Sequence, residues 1–266
     1  MLTDVLTFTF FLLIGLEIRE GLKHPKEIAL PSLCALSGMV FPAIIFKVLH
    51  HSGSAWAVAM PTDVALAIGA LALMGKRVNP AARLFLLSLA VADDFFSLVV
   101  IGIFFHSHLD LSSAIYTMGA AAIGALLPAR HILIKYLAPL ITYAVIPLYI
   151  WINLLRHLDF SQSGSSLSLS LIVARILGKC FGITLAAWVI SKITPLKLPS
   201  AINLREVAGV GLLAGMGLTV SLVIAKITTE DAVQISQIKI GLFISALVAA
   251  FLGILWLRFS TSRFTD

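Results

Sequence analysis

Charge is what this sequence has least of. Only 12% of its 266 residues are Asp, Glu, Lys or Arg, against about a quarter in a soluble domain. That scarcity excludes a water-facing surface of ordinary size. Cysteine is nearly absent too. Cys34 and Cys180 both lie in apolar runs with no metal spacing between them, so neither a disulfide framework nor a zinc site is expected. No basic stripe interleaves with aromatics, so the net charge of +6 is no sign of a nucleic-acid partner. A cleavable leader is not expected either. The first apolar run has no basic start, and it ends in Glu17, Arg19 and Glu20 rather than in small residues. Only Gln162 to Ser170 is serine-rich, as an exposed loop would be. No polar stretch is large enough to fold alone, so one domain is expected over residues 1–266.

What is present is apolar. The chain is 59% hydrophobic with a mean hydropathy of +1.03. Several of its runs approach the roughly 20 residues that cross a bilayer as a helix. The fold class expected is all-α, a polytopic bundle of about nine spans. They are Leu2 to Leu16, Ile28 to Leu49, Trp56 to Met74, Leu84 to Phe105, Ser113 to Leu127, Leu133 to Leu155, Leu167 to Ile190, Val207 to Ala225 and Ile240 to Leu257. The first and fifth are short enough to be tilted fragments or re-entrant pieces. Breakers punctuate the connections at His24-Pro25, Asn79-Pro80, Pro195 and Pro199-Ser200.

Basic residues alternate between connections. One set carries Arg19, Lys23 and Lys26, then Lys76, Arg77 and Arg83, then Arg130 and Lys135, then Lys192, Lys197 and Arg205, and finally Arg258 and Arg263. The other set has Lys47, then none, then Arg156, then Lys226. The positive-inside bias then puts the N-terminus outside and the C-terminus in the cytoplasm. An upstream helix before Met1 would account for an outside start at residue 2.

Four polar features interrupt this background. Asp93 and Asp94 sit midway along the fourth span, where each carboxylate costs about 3 kcal/mol on insertion scales. Adjacent helical residues point about 100° apart, so one can face a cavity while the other faces a partner. A buried ion pair that only fixes packing is the bland alternative. Pro61-Thr62-Asp63 breaks the third span, because proline removes a donor and disfavours helix before it. Asp63 could then face the positive end of a half-helix; an ordinary capped kink is the competing reading. Lys179 lies mid-span between Gly178 and Gly182, where small residues allow close approach. It is the cationic partner available to an aspartate, unless it snorkels. Arg175, one turn away on the same face but nearer the outside, is expected to snorkel. Gly211, Gly215, Gly217 and Thr219 weaken the eighth span. Two interrupted spans in corresponding halves point to the substrate site of a secondary transporter. His24, His50, His51, His106, His108, His131 and His157 are expected at solvated span ends.

These segments together resemble the bacterial NhaA-type sodium/proton antiporters. The matching stretches are Phe10-Phe11-Leu12-Leu13-Ile14-Gly15-Leu16-Glu17, Pro61-Thr62-Asp63-Val64-Ala65-Leu66-Ala67, Leu89-Ala90-Val91-Ala92-Asp93-Asp94, Gly178-Lys179 with Gly182-Ile183, and Gly215-Met216-Gly217-Leu218-Thr219. The resemblance implies a multi-pass protein of the bacterial cytoplasmic (inner) membrane with two crossing broken helices. By that resemblance it would exchange sodium or lithium ions for protons in pH and sodium homeostasis. Asp94 would carry ion and proton, with Asp93 beside it and Lys179 paired to Asp93. Asp63 and Lys179 would balance the charged helix ends, and Thr62 would lie at the break with Pro61. Glu17 would sit at a cytoplasmic funnel where the family senses pH. The partners implied are sodium or lithium, protons and the lipid bilayer, with a homodimer as the candidate assembly. No cofactor and no enzyme chemistry are implied; the only metal is the transported ion held by Asp94 and Asp93.

The chain also departs from the family pattern. The family has about a dozen spans. Its first helix would lie before Met1, and Phe105 to Pro139 leaves room for one helix where the family has three. Gly21, with Glu20 before it, replaces the second funnel glutamate. Ile134, Lys135 and Ala138 stand where an acidic and histidine cluster is expected. Phe96 replaces a small residue and Cys180 a proline.

Exchange then rests on competition. Burial favours the neutral form of a carboxyl and nearby cations favour the ionised form. At an intermediate balance the aspartates hold either protons or one sodium ion, and rocking of one helix group exposes them alternately. A degenerate, non-transporting homologue is the alternative. An intramembrane aspartyl protease built on Asp63 and Asp94 is a third reading. It leaves Lys179 without a role and lacks the glycine-rich approach to the second aspartate, since Val91-Ala92 precede the pair.

Overall fold

The computed structural model describes residues 2–21, 25–51, 53–75, 78–105, 115–127, 131–199 and 202–260. Lys23, His24, Lys76, Arg77, His106, His108, Ser113, Arg130, Ser200 and Arg263 lie outside these residues. So does the start of the fifth expected span.

The described chain is helical throughout. It begins with α1 (Leu2–Gly21) and α2 (Pro25–Leu49). A short 3-10 turn (Ala55–Ala59) leads to α3 (Val64–Ala72). The long helix α4 (Pro80–Phe104) follows. Next come α5 (Ala120–Leu126), entered through a π-helical turn, then α6 (His131–Leu140) and α7 (Ile146–Asn153). The chain closes with α8 (Ser166–Ile193), α9 (Leu204–Ala214), α10 (Thr219–Thr228) and α11 (Ala232–Ser260).

Five of these helices or continuous runs are long and apolar enough to cross a bilayer, and six if the bent pair α9–α10 is one span. Nine spans are therefore not established by length and apolarity, although each expected stretch is at least partly helical. α1 runs past its expected end at Leu16 to Gly21, and carries Asp4, Glu17, Arg19 and Glu20. The third stretch is interrupted by a break at residues 60–63. A 3-10 turn, Ala55–Ala59, follows Gly53, at φ 82°, and Pro61, which has no backbone donor, comes after it. The sixth stretch is continuous but loosened. A π-helical turn, Ile141–Val145, lies between Pro139 and Pro147, whose missing donors open the i to i−4 ladder.

Helix starts follow local chemistry. Asn79 caps α4, its Oδ1 accepting from the Ala81 amide at 3.0 Å, with Pro80 at the first helical position. Asn203 and Glu206 form a reciprocal capping box on α9. Arg19 donates to the Ala125, Leu126 and Leu127 carbonyls at 3.1, 2.6 and 2.6 Å, which places a cation at the carbonyl end of α5.

α8 is the central post. It packs on α2, α9 and α11, and the 3-10 turn lies against it. The glycines flanking Lys179 let α2 come close: a Cβ on Gly178 would lie 2.6 Å from Pro42 Cα, and one on Gly182 would lie 2.8 Å from the Ser37 carbonyl. Ser37 Oγ donates to the Gly182 carbonyl at 2.9 Å. The outward faces are apolar. On α2, Leu33, Leu36, Val40, Ile44 and Val48 form an exposed stripe, and on α11 so do Leu247, Phe251 and Leu255. Apolar outside with charge inside is the arrangement lipid imposes.

α1 meets α5 at a glycine contact. A Cβ on Gly15 would enter the Ala121 carbonyl, and one on Gly124 would enter the Leu12 carbonyl. Gly69 of α3 has open space instead. One substitution at two sites therefore has opposite signs. Gly124→Ala should destabilise by about 1–3 kcal/mol through overpacking, while Gly69→Ala should stabilise by up to about 1 kcal/mol. Thermal unfolding of the two purified proteins in detergent checks both.

Candidate functional site

The two interrupted stretches cross at the middle of the bundle. α9 ends at Ala214 and α10 begins at Thr219, with a 50° bend between them. Opposite, Pro61, Thr62 and Asp63 form a buried non-helical link between the 3-10 turn and α3. The two non-helical links are joined by the Asp63 amide, which donates to the Met216 carbonyl at 2.7 Å. Each break leaves helix-end amides and carbonyls in the protein interior, where they need partners.

Asp63 serves the amide ends. It occupies the cap position of α3 but makes no side-chain bond to that helix. Its Oδ2 accepts instead from α10, from the Thr219 amide at 3.0 Å, the Thr219 hydroxyl at 2.8 Å and the Leu218 amide at 3.4 Å. A carboxylate thus sits where the positive ends of two half-helices meet. Its Oδ1 is buried with no hydrogen-bond partner.

Arg175 serves the carbonyl ends. Nε donates to the Gly215 carbonyl at 3.2 Å, Nη1 to the Val58 carbonyl at 2.8 Å, and Nη2 to the Pro61 carbonyl at 2.9 Å. Nη1 also donates to Ser221 Oγ at 2.9 Å. Arg175 is fully buried, which corrects the expectation that it snorkels. The planar fork of guanidinium donors matches several fixed acceptors in a way a lysine cannot. Gly217 makes room for it, since a Cβ there would enter both the Arg175 guanidinium and the Pro61 carbonyl.

Between these two ends lies the charged centre. Lys179 Nζ is 3.1 Å from both Asp93 oxygens, and both side chains are fully buried. Nζ also donates to Thr62 Oγ1 at 2.8 Å. Thr62 ties the pair to both breaks: its amide donates to Asp93 Oδ2, and its hydroxyl donates to the Ala214 carbonyl at 2.9 Å. Pro61, Thr62, Asp63, Lys179, Gly215, Gly217 and Thr219 are therefore brought together at one crossing. Asp94 is next to it on α4, 3% exposed, with Oδ1 buried and unpartnered. It does not face lipid. Glu17 is half-buried on α1, which packs against α4. It lies within Coulombic reach of Asp94 but makes none of the bonds at the crossing. Of the histidines, His51 is exposed and His50 packs beside the Phe46 ring.

Arg175 is the site residue whose role sequence reasoning misjudged, since it gave its place nearer the outside more weight than the face it shares with Lys179. The signal was there: Arg175 is four residues before Lys179, so both lie on one face of α8. If one points inward, so does the other.

This geometry can be set beside known proteins. The family model described as Na+/H+ antiporter 1 matches residues 1–156 and 128–257. The Na(+)/H(+) antiporter NhaA of Citrobacter koseri is 28% identical over 319 residues, covering 97% of this chain and 82% of the relative. The Na(+)/H(+) antiporter NhaA of Salmonella typhimurium is 29% identical over 320 residues, with 97% and 82% covered. The Na(+)/H(+) antiporter NhaA 1 of Magnetococcus marinus is 29% identical over 337 residues, with 98% and 84% covered. These alignments are longer than the 266-residue chain, so the relatives carry residues that it lacks, as a shortened member would show. With a family model matching most of its length and relatives aligned along nearly all of it, the chain belongs to the Na+/H+ antiporter 1 family.

Proposed function

We propose that the protein exchanges sodium, or lithium, for protons across a bacterial cytoplasmic membrane, with its C-terminus on the cytoplasmic side. The observation that carries this reading is an imbalance of buried charge at the crossing. Three carboxylates (Asp63, Asp93 and Asp94) face two cations (Lys179 and Arg175), all buried. Asp93 is paired with Lys179. Asp63 is offset by helix amides and Arg175 by helix carbonyls. The negative charge left over falls on Asp94.

A lone carboxylate at this depth is costly unless something neutralises it. A proton does so, and so does a small cation that accepts oxygen ligands. The two are mutually exclusive at one site, and mutual exclusion with alternate exposure is exchange. Asp94 is the carrier in this reading, and Asp93 adds a ligand when Lys179 releases it. Thr62, with Pro61, Gly215, Gly217 and Thr219, shapes the break. Glu17, on α1 beside α4, tunes access with pH in this reading. The chain acts as a transporter and not as an enzyme, and a homodimer is its candidate assembly.

The degenerate reading is not favoured. Drift would have no reason to keep three acids, two buried cations and two complementary breaks in register. In everted vesicles carrying the protein and an established proton gradient, adding sodium or lithium should collapse the gradient, while potassium should not. A gradient unaffected by sodium and lithium across a pH series would overturn the proposal.

A further inference from the structure

Among the described residues four buried side-chain oxygens have no hydrogen-bond partner, on Asp63, Asp94, Ser97 and Thr184, and of these Ser97 shares a helix with the two adjacent acids but has no role so far. Ser97 is 1% exposed on α4, and its Oγ has no hydrogen-bond partner. A serine inside a helix ordinarily gives its proton to the carbonyl one turn back. This hydroxyl does not. A buried polar group left without a partner costs stability, and such groups point to a missing ligand or a functional role.

Its position says which. Ser97 is four residues after Asp93 and three after Asp94. On a helix these spacings are neighbours on the surface. At 100° per residue, Ser97 projects between the directions of the two aspartates. Helical side chains also tilt toward the N-terminus, so Ser97 leans back toward both acids. Asp94 Oδ1, one turn away, is likewise buried and unpartnered. Two orphan oxygens on one helix face, one anionic and one neutral, suit a small hard cation, which prefers oxygen ligands. A hydroxyl contributes a ligand without adding charge, so the site stays neutral when one sodium replaces one proton.

We propose that Ser97 Oγ is a direct ligand of the transported cation, completing the shell that Asp94 begins. This rests on the exchange reading above. The hydroxyl binds the cation but not the proton carried by Asp94, so its removal weakens sodium binding selectively. It contributes nothing to folding, because it has no partner to lose.

The test is a sodium saturation curve for exchange in vesicles, run on the parent, Ser97→Ala and Ser97→Cys. Alanine deletes the ligand. Cysteine keeps most of the side-chain volume but offers a soft sulfur in place of a hard oxygen. Both variants should raise the sodium KM several-fold, with the maximal rate near that of the parent and thermal stability equal or higher. A parental sodium KM in either variant overturns the proposal. So does a loss of stability in Ser97→Ala, which would mean that the hydroxyl holds structure. A parent without exchange would overturn the exchange reading itself, an outcome distinct from exchange with an unchanged KM.

Discussion

Asp94→Asn is expected to abolish sodium-driven proton movement while leaving the folded protein at least as stable as the parent. Asparagine keeps the size and shape of the side chain but can neither carry the proton nor hold a net charge against the cation. Exchange should fall to the background of empty vesicles at every sodium concentration and pH. Stability should move the other way, because an ionisable group at mid-membrane costs about 2.5–3.5 kcal/mol on insertion scales and Asn removes it. Asp94 Oδ1 has no hydrogen bond to lose. Asp93→Asn is the contrasting variant. It strips Lys179 of its carboxylate partner and leaves a buried cation held by Thr62 Oγ1. That variant should lose both exchange and thermal stability. Vesicle exchange and detergent melting curves on both proteins check the pair. Exchange at the parental rate in Asp94→Asn would sink the assignment of the carrier.

Arg175→Met should be the most destabilising single change in the bundle. It leaves the carbonyls of Gly215, Val58 and Pro61 and the hydroxyl of Ser221 without their donor, all in a dry interior. Removing one side of a buried charged network costs on the order of 3–5 kcal/mol. The damage is local in origin, since these acceptors lie at the carbonyl ends of the two breaks. Without Arg175 the crossing loses a group that bonds to both of its non-helical links. Arg175→Lys keeps the charge but has a single nitrogen, which cannot serve four acceptors in different directions. It should fall between Met and the parent in melting temperature and in exchange rate. A melting temperature for Arg175→Met equal to that of the parent would show that the guanidinium is not what closes the crossing.

Much of this site is legible in the chain before it folds. Asp93 and Asp94 stand out because mid-span charge is rare and costly. Pro61 and the run of Gly215 and Gly217 stand out because they remove donors or side chains where a helix needs them. Lys179 stands out because an apolar span keeps a lysine at its centre only with a partner nearby. Arg175 escaped because its depth was weighed by distance from the span centre. The face it shares with Lys179, read off the helical repeat, gives the better answer. Ser97 escaped because a serine in an apolar helix usually satisfies itself on its own backbone, and sequence does not show when it fails to. The shape of the third stretch was also hidden. Pro61 announces a break, but the 3-10 turn before it carries no sequence signal of its own.

By itself the sequence determined that this protein is a helical bundle in lipid, that charge is retained at its centre, and where two helices must break. Those are properties of composition and of spacing within single segments. Only the tertiary structure decided which charge meets which. Asp93 and Lys179 are 86 residues apart in the chain, and Asp63 turns away from its own helix to cap one that begins 156 residues later. Such pairings are set by how whole helices pack, because a buried ion takes whatever partner the assembled interior brings within reach.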